Sequence, residues 1–581
     1  VIVVLVLLAA AVGVVTVLLR HRDRAGTTDG GGLRRGVQHL SLVAAAFAAA
    51  GGATSLLTAA LPAGDRLAGQ GPEDLAFGLA LTVVATPVWA LLWRVVRRRL
   101  IHDETERAST AWALHVAALA TIPLIVGVVA LVQVGTWALG GGRGGPDEAA
   151  TALIWSGLWV AQAVLLRRSG LTPTGPLCRL ETLAGSTVGL VTLALGAVGV
   201  VSYGLAQTYR AATGPALVEG ASAAAVSRSI VVVVLGGVVW WWHWLRDAAT
   251  GPRDGPWHLH VLVTGVLGGL ATAAAALVIT LRTSLVWAVG AQASAQAAAH
   301  FATVPRAVAA TVVGLWVWRY HAVVLGAVAA RGEPQRIADH IVAGVGLVSA
   351  TSGATFALVA AIEAATPAPF AAGGGHGAQS AATALALLVV GLPLWVVHWW
   401  HLQARVRGGD EAELMSPTRR AYLLIVVSAA GLATAGSGVS LLFVVFRDLL
   451  GADLDSAVVR DMRVAVGLLV AAGGVAAYHW LVQRADRAAA PAMPPQRHVL
   501  LVSADGRTIA SAVAQRTGAR VRSLHRLDID AADATDIDAD AIAAAVRSSP
   551  HRHLLVTVEG DGVVRAIPYR TVPGQPPADP Q

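Results

Sequence analysis

The side chains with the clearest capacity for chemistry are imidazoles that recur beside indole rings. His398 and His401 close the stretch Gly391-Leu392-Pro393-Leu394-Trp395-Val396-Val397-His398-Trp399-Trp400-His401. Related endings are Trp240-Trp241-Trp242-His243-Trp244, Trp316-Val317-Trp318-Arg319-Tyr320-His321, Tyr478-His479-Trp480 and the His-free Trp89-Ala90-Leu91-Leu92-Trp93. Other polar candidates inside apolar stretches are His39, His115, Gln133, Tyr203, His260, His340 and Glu363. Imidazole can ligate haem or another metal, or carry a proton. His398 and His401 sit at i,i+3 on one helical side, so both can approach a single ion. Haem between helices needs axial ligands from two faces at one depth, and no paired mid-span histidines supply that pattern. Interfacial anchoring and interhelical hydrogen bonding fit the recurring histidines better. Trp and Tyr concentrate where hydrocarbon meets headgroups, because the ring is apolar while its N–H or O–H still wants a partner. The aromatic endings therefore mark membrane boundaries, with a cation cage as the minor alternative. On this reading no catalytic residue is assigned, metal and cofactor ligands are unknown, and no cofactor is expected.

Composition explains where such residues would sit. The 581 residues are 55% hydrophobic and 13% charged, with mean hydropathy +0.63, far more apolar than a soluble globule requires. The lipid bilayer is thus the principal partner. The net charge of +8 comes from a chain without lysine, and most of its arginines lie in short connections, which suits topology control and anionic lipid rather than nucleic acid. The lone Cys178 excludes an intramolecular disulfide and reads as a small inert hydrophobe.

Residues 1–19 are almost wholly apolar and are followed by Arg20, Arg22 and Arg24, the reverse of a signal peptide, so a retained N-terminal transmembrane helix with its N-terminus outside is expected. Six hairpins then follow, each of two spans, at 36–62 with 74–95, 109–137 with 149–166, 182–206 with 226–245, 258–281 with 302–323, 338–363 with 380–402, and 420–446 with 462–482. Thirteen spans result. Arginines test this topology independently: 24 fall on the side assigned to the cytoplasm and nine on the other, which places the C-terminal domain inside.

Repetition shows in spacing too. Starts at Arg34, Arg107, Arg179, His258, Arg336 and Arg419 recur at intervals of two spans, so the hairpins of 34–482 are parallel rather than inverted repeats. Glycines such as Gly269, Gly346 and Gly473 let backbones approach inside lipid, while Pro87, Pro123 and Pro393 predict kinks. Polar groups in the spans are few, most of the histidines fall near the cytoplasmic interface, and no deep Asp or Glu stands out, which argues against an ion path.

Beyond the spans the composition changes. Residues 483–496 read as a linker rich in Ala and Pro, and 497–570 as a small α/β or α+β cytoplasmic domain with strands near His498, Ala519, His553 and Val563. Residues 571–581 form a flexible tail. The acidic run Asp528, Asp530, Asp533, Asp536, Asp538 and Asp540 has alternate spacing, but Ala541 replaces the usual glycine of a calcium loop, so solvation and helix capping are expected. No phosphate-cradling, zinc-protease, nucleophile-elbow or kinase pattern occurs.

The Arg-rich starts, Arg419-Arg420-Ala421-Tyr422-Leu423-Leu424 leading to Ala430-Gly431-Leu432, and the endings Val397-His398-Trp399 and Tyr478-His479-Trp480 resemble the bacterial membrane domain-of-unknown-function 5671 family. The resemblance implies a repeated multi-spanning domain over most of 34–482, with weaker correspondence in the first two hairpins, and carries no activity, cofactor or site. The fold class is an all-α polytopic membrane bundle of repeated helical hairpins plus the small C-terminal domain, in a bacterial plasma membrane. A scaffold or sensory role, with a cytoplasmic protein partner on 497–570, fits best; a solute transporter or channel is the alternative, and a haem- or quinone-linked redox protein the second. No nucleic-acid partner is expected.

Overall fold

The computed structural model describes residues 30–61, 72–140, 145–175, 177–213, 223–292, 296–326, 331–366, 376–451, 456–490, 497–503, 506–525, 538–558 and 563–570. The N-terminal helix expected over 1–19, the tail 571–581 and the acidic residues Asp528 to Asp536 lie outside them. The chain divides into two compact units, Val1–Leu481 and Val482–Gln581.

Among the described residues of the first unit, twelve helices are long and apolar enough to cross a membrane. We label them α1 (Gly32–Ala60), α2 (Pro72–His102), α3 (Thr110–Ala138), α4 (Pro146–Ser169), α5 (Leu180–Ala212), α6 (Ala225–Ala248), α7 (Gly255–Ala288), α8 (Ala297–Leu325), α9 (Glu333–Ala365), α10 (Gly377–Arg407), α11 (Pro417–Gly451) and α12 (Val458–Ala489). They match the twelve hairpin segments one for one, and make this a multi-pass membrane protein. Each apolar run must satisfy its own backbone, and the helix is the form in which it does so. Helices overrun the apolar runs because extending an existing helix costs little compared with starting one. The last reaches Ala489, so the expected linker 483–496 is helical over its first half.

Taken two at a time along the chain, the hairpins form three four-helix bundles, which also touch one another through α3 with α5 and α6 and through α7 with α10. Within the first five hairpins the two helices cross where small residues face each other. A Cβ at Gly346 of α9 would lie 2.4 Å from the Trp395 backbone nitrogen and 2.9 Å from the Gly391 carbonyl oxygen, while one at Gly391 would meet Ala350 N at 2.4 Å. Gly269 of α7 and Gly314 of α8 make the same reciprocal contact. In lipid such backbone approach supplies the dispersion contacts that hold helices together. Two stretches leave α-geometry: Trp241–Ala248 at the end of α6 and Val261–Leu267 near the start of α7 are π-helical.

The second unit is α/β. Strands β1 (His498–Ser503), β2 (Arg520–His525), β3 (His553–Val558) and β4 (Val564–Pro568) form a sheet of order β2-β1-β3-β4. The β1 strand pairs in parallel with β2 and β3, and β4 closes the edge antiparallel to β3. Helices α13 (Gly506–Thr517) and α14 (Ala539–Ser548) make the crossovers that parallel strands require. Val499, Leu501, Leu554 and Val556 bury one face against Val513, Ile542 and Val546. Asp538 caps α14 through the Asp540 amide, and Asp540 pairs with Arg516 at 2.9 Å, in keeping with the capping expected of the acidic run.

The crossing glycines give a direct test. Gly346→Val forces side-chain atoms into the α10 backbone, and overpacking of this kind costs about 1–3 kcal/mol. Gly431, where an added Cβ meets nothing within 4 Å, is expected to accept alanine without loss. Unfolding of the purified protein in detergent, followed by circular dichroism, distinguishes the two.

Candidate functional site

The third helix of every bundle starts with the same local device. Ser109 accepts the Trp112 amide at 3.2 Å, Asp254 accepts the Trp257 amide at 2.9 Å, and the Ser416 hydroxyl accepts the Thr418 and Arg419 amides at 3.2 and 3.4 Å. A side-chain acceptor at the N-cap fixes the first turn. That turn sets which residues face inward three and six positions later: Trp112, Trp257 and Arg419, each fully buried, then His115, His260 and Tyr422.

Around these residues each bundle assembles an aromatic and imidazole layer. In the first bundle His39 of α1 stands 5.5 Å from Trp112 and 5.2 Å from His115 between ring centroids, with Trp93 of α2 at 6.3 Å from Trp112. In the second, Trp244 of α6 lies 6.1, 5.0 and 5.6 Å from Trp257, His260 and His321, and His260 lies 6.4 Å from His321. In the third, Trp399 of α10 lies 5.4 Å from Tyr422 and 5.3 Å from His479, with His340 4.9 Å from Tyr422. Arg419 sits 5.5 Å over the Trp399 ring. The indoles donate to Tyr320 in one case and Tyr478 in the other, at 2.9 and 2.8 Å. Aromatic contacts of this geometry contribute about 0.5–1.5 kcal/mol each beyond contact area.

The same places are filled differently in each copy. Counting from the paired tryptophans, Leu92, His243 and His398 are equivalent on the second helices, each followed by the inward Trp93, Trp244 or Trp399. On the fourth helices buried Gln162, His321 and His479 correspond. The aromatic endings thus have two roles. Trp241, Trp316, Trp400 and Trp480 are exposed, whereas Trp244 and Trp399 are core.

Interhelical hydrogen bonding was expected of the histidines, and most instead turn back on their own helix. Nδ1 of His243, His321, His340, His398 and His479 lies 2.8–2.9 Å from the carbonyl four residues earlier. A carbonyl can only accept, so Nδ1 carries the proton and Nε2 is left as an acceptor. For His321, His340 and His479 that Nε2 is buried with no partner among the described residues. His260 differs, with Nδ1 3.0 Å from the Thr187 hydroxyl, and His115 approaches the His39 carbonyl at 3.4 Å. The His398 and His401 pair is not drawn to a common point. His398 is half-buried and His401 exposed, with His401 Nδ1 on the Val397 carbonyl. Among the described residues no three His, Cys, Asp or Glu side chains converge. Gln133 is exposed, Tyr203 half-buried and Cys178 exposed, while Glu363 pairs with Arg463 at 3.0 Å.

An ionic cap sits at the arginine-rich end, next to the layer in sequence. In the first bundle the one-turn helix Glu104–Arg107 buries Glu106, which pairs with Arg34 and with Arg35. In the third, the one-turn helix Glu411–Leu414 buries Glu413, which pairs with Arg336 at 3.2 Å. Glu333 in turn accepts from Arg336, Ser416 and Thr418 at 2.7, 3.1 and 2.5 Å, linking the starts of α9 and α11. The second bundle has the looser Arg179 and Asp254 contact at 3.7 Å. These carboxylates escape a search for chemistry because they lie outside the apolar segments. The N-cap residue followed by large residues at plus three and plus six is the signal that would have found the layer.

Three repeats of one four-helix bundle define a multi-pass membrane protein built by internal repetition. The family model DUF5671, a domain of unknown function, matches residues 33–166, 179–315 and 336–474, and the chain belongs to that family. Each match spans two hairpins, including both of the first bundle, where the terminal histidine is missing. No curated protein and no solved structure matches the chain.

Two outcomes test the cap. Glu413→Ala removes one of two carboxylates on Arg336, which keeps Glu333 at 2.7 Å, so the loss falls below the ~3–5 kcal/mol of a fully stranded buried charge; Asp540→Ala, at an exposed pair, leaves stability unchanged. Both are read from thermal unfolding in detergent. Outside the spans, hydrogen bonds from the Thr105 hydroxyl and amide hold the Asp103 carboxyl below its usual range. Its stabilisation is therefore present above the ordinary carboxyl range and lost as pH falls through the lowered value. Asp103→Asn should remove that acid-limb contribution from the stability profile.

Proposed function

We propose that this protein is a membrane scaffold of sensory type, seated in a bacterial plasma membrane with its arginine-rich ends and its α/β domain in the cytoplasm. One observation carries the reading: the buried histidines of each bundle, joined by Arg419 and Tyr422 in the third, gather in a single layer near one end. A carrier distributes ionisable or polar groups along a path through the membrane. Here the helices beyond the layer cross at Gly346 and Gly391, or Gly269 and Gly314, in backbone contact, which leaves no polar path between the two helices of those hairpins. The arginine bias, 24 against nine, supports the orientation. The α/β domain covers one sheet face with helices and leaves Arg522, Leu524, Arg565 and Ile567 exposed, which suits it to a protein partner.

Topology and transport are tested on the same preparation. In a Cys178→Ser background, a cysteine at Arg407 is expected to react with an impermeant maleimide only after cells are opened, and one at Leu139 in intact cells. The reverse pattern would invert the orientation. In proteoliposomes no solute flux is expected, and a flux abolished by His321→Ala would replace the scaffold reading with a carrier.

A further inference from the structure

The third bundle holds an elongated cleft of about 450 Å³ between α9, α11 and α12. At one end lie His340 and Tyr422, and along its length Thr351, Thr355, Leu468 and Ala472. From His340 to Thr355 the wall runs fifteen residues along α9, about 22 Å at 1.5 Å per residue. The volume lies within the range of about 300–1,000 Å³ usual for small-molecule sites.

The side-chain polar atoms of this cleft that lack a hydrogen-bond partner among the described residues are confined to its head. Thr351 and Thr355 donate their hydroxyls to the Leu347 and Thr351 carbonyls at 2.7 and 2.9 Å, which leaves mainly apolar surface along the body. At the head, His340 is 4% and Tyr422 9% exposed. Nδ1 of His340 is committed to the Arg336 carbonyl at 2.8 Å, so its buried Nε2 is an acceptor without a donor. The Tyr422 hydroxyl is likewise buried and unpaired. Trp395 lies close to that oxygen, its N–H outside hydrogen-bond geometry, and as a donor it leaves the phenolic proton free in any case. A buried polar atom without a partner costs about 1–3 kcal/mol, so two together in one small space call for an occupant.

We propose that this cleft binds a membrane molecule with a hydrocarbon body and a hydroxyl head, the hydroxyl donating to His340 Nε2 and accepting from the Tyr422 O–H. A carbonyl or ether head takes the Tyr422 proton and leaves His340 unpaired. An ammonium head pairs with His340 and offers Tyr422 nothing to accept its proton. A hydroxyl answers both with one atom, and the apolar body matches the cleft below. Prenyl quinols and hydroxylated lipids share this chemistry. The inference concerns the third bundle alone and does not depend on the scaffold reading.

The test uses full-length protein in nanodiscs, titrated with a decyl hydroquinone and with dioctanoylglycerol, each beside its O-methyl ether. One hydroxyl probe is expected to bind at a single site per chain, at least tenfold more tightly than its ether. Tyr422→Phe and His340→Phe are each expected to weaken it tenfold or more, while Gly431→Ala, outside the cleft lining and open to an added Cβ, leaves it unchanged. Preference for the hydroquinone identifies a quinol site, and preference for the glycerolipid a site for hydroxylated lipid. Binding of neither probe, equal binding of the ethers, or full binding by Tyr422→Phe overturns the proposal and leaves internal water as the occupant. Should a variant fail to fold, hydroxyl against ether on the native protein still decides.

Discussion

A polar group inside a helical membrane bundle has no bulk water to fall back on, so it must find its partner within the protein. The constraint shapes this structure more than any single contact. Each bundle meets it in two tiers near the arginine-rich end: charged groups pair with one another in the cap, as Glu413 does with Arg336, and imidazoles use the nearest carbonyl on their own helix, as His340 and His479 do. A histidine bonded to its own helix leaves its other nitrogen aimed between helices. The layer therefore holds a set of acceptors whose partners are not supplied by the backbone, and this is where the bundles have room to differ.

They differ by substitution at fixed places rather than by rebuilding. The N-caps Ser109, Asp254 and Ser416 set one register, and the residues six positions later are His115, His260 and Tyr422. Exchange of histidine for tyrosine changes a ring with an acceptor nitrogen into a ring with a donor hydroxyl, while the surrounding tryptophan persists. Arg419 replacing the tryptophans at 112 and 257 brings a charge into the same space, held by stacking on Trp399 and by a 2.9 Å bond to Gln403. The second bundle adds the two π-helical segments, Trp241–Ala248 and Val261–Leu267, on either side of Trp244, His260 and His321. Such segments cluster at functional sites because the extra residue per turn re-aims side chains.

The spans were legible because hydrophobic length and arginine placement report directly on lipid. The hairpin repeat was legible for the same reason, and it proves to be half of the four-helix unit that the family shares. The small domain could be read from strand and helix alternation, although its parallel pairing required the fold. The layer was harder. Which tryptophan of Trp240-Trp241-Trp242-His243-Trp244 turns inward depends on helix rotation, and the local π-geometry displaces the residues from ideal 3.6-residue spacing. The burial of Glu106 and Glu413 depends on arginines roughly seventy residues earlier in the chain, a relation that composition and periodicity do not carry.

The layer depends on histidines that keep their proton on Nδ1 and present an unprotonated Nε2 between helices. Solid-state nitrogen NMR of protein labelled at the imidazole nitrogens, assigned with His321→Gln, His340→Gln and His479→Gln, reads the tautomer directly. Protonated Nδ1 and unprotonated Nε2 are expected at all three positions. Protonated Nε2 with unprotonated Nδ1 would contradict that assignment, since the carbonyl bonds that orient these rings could not then exist.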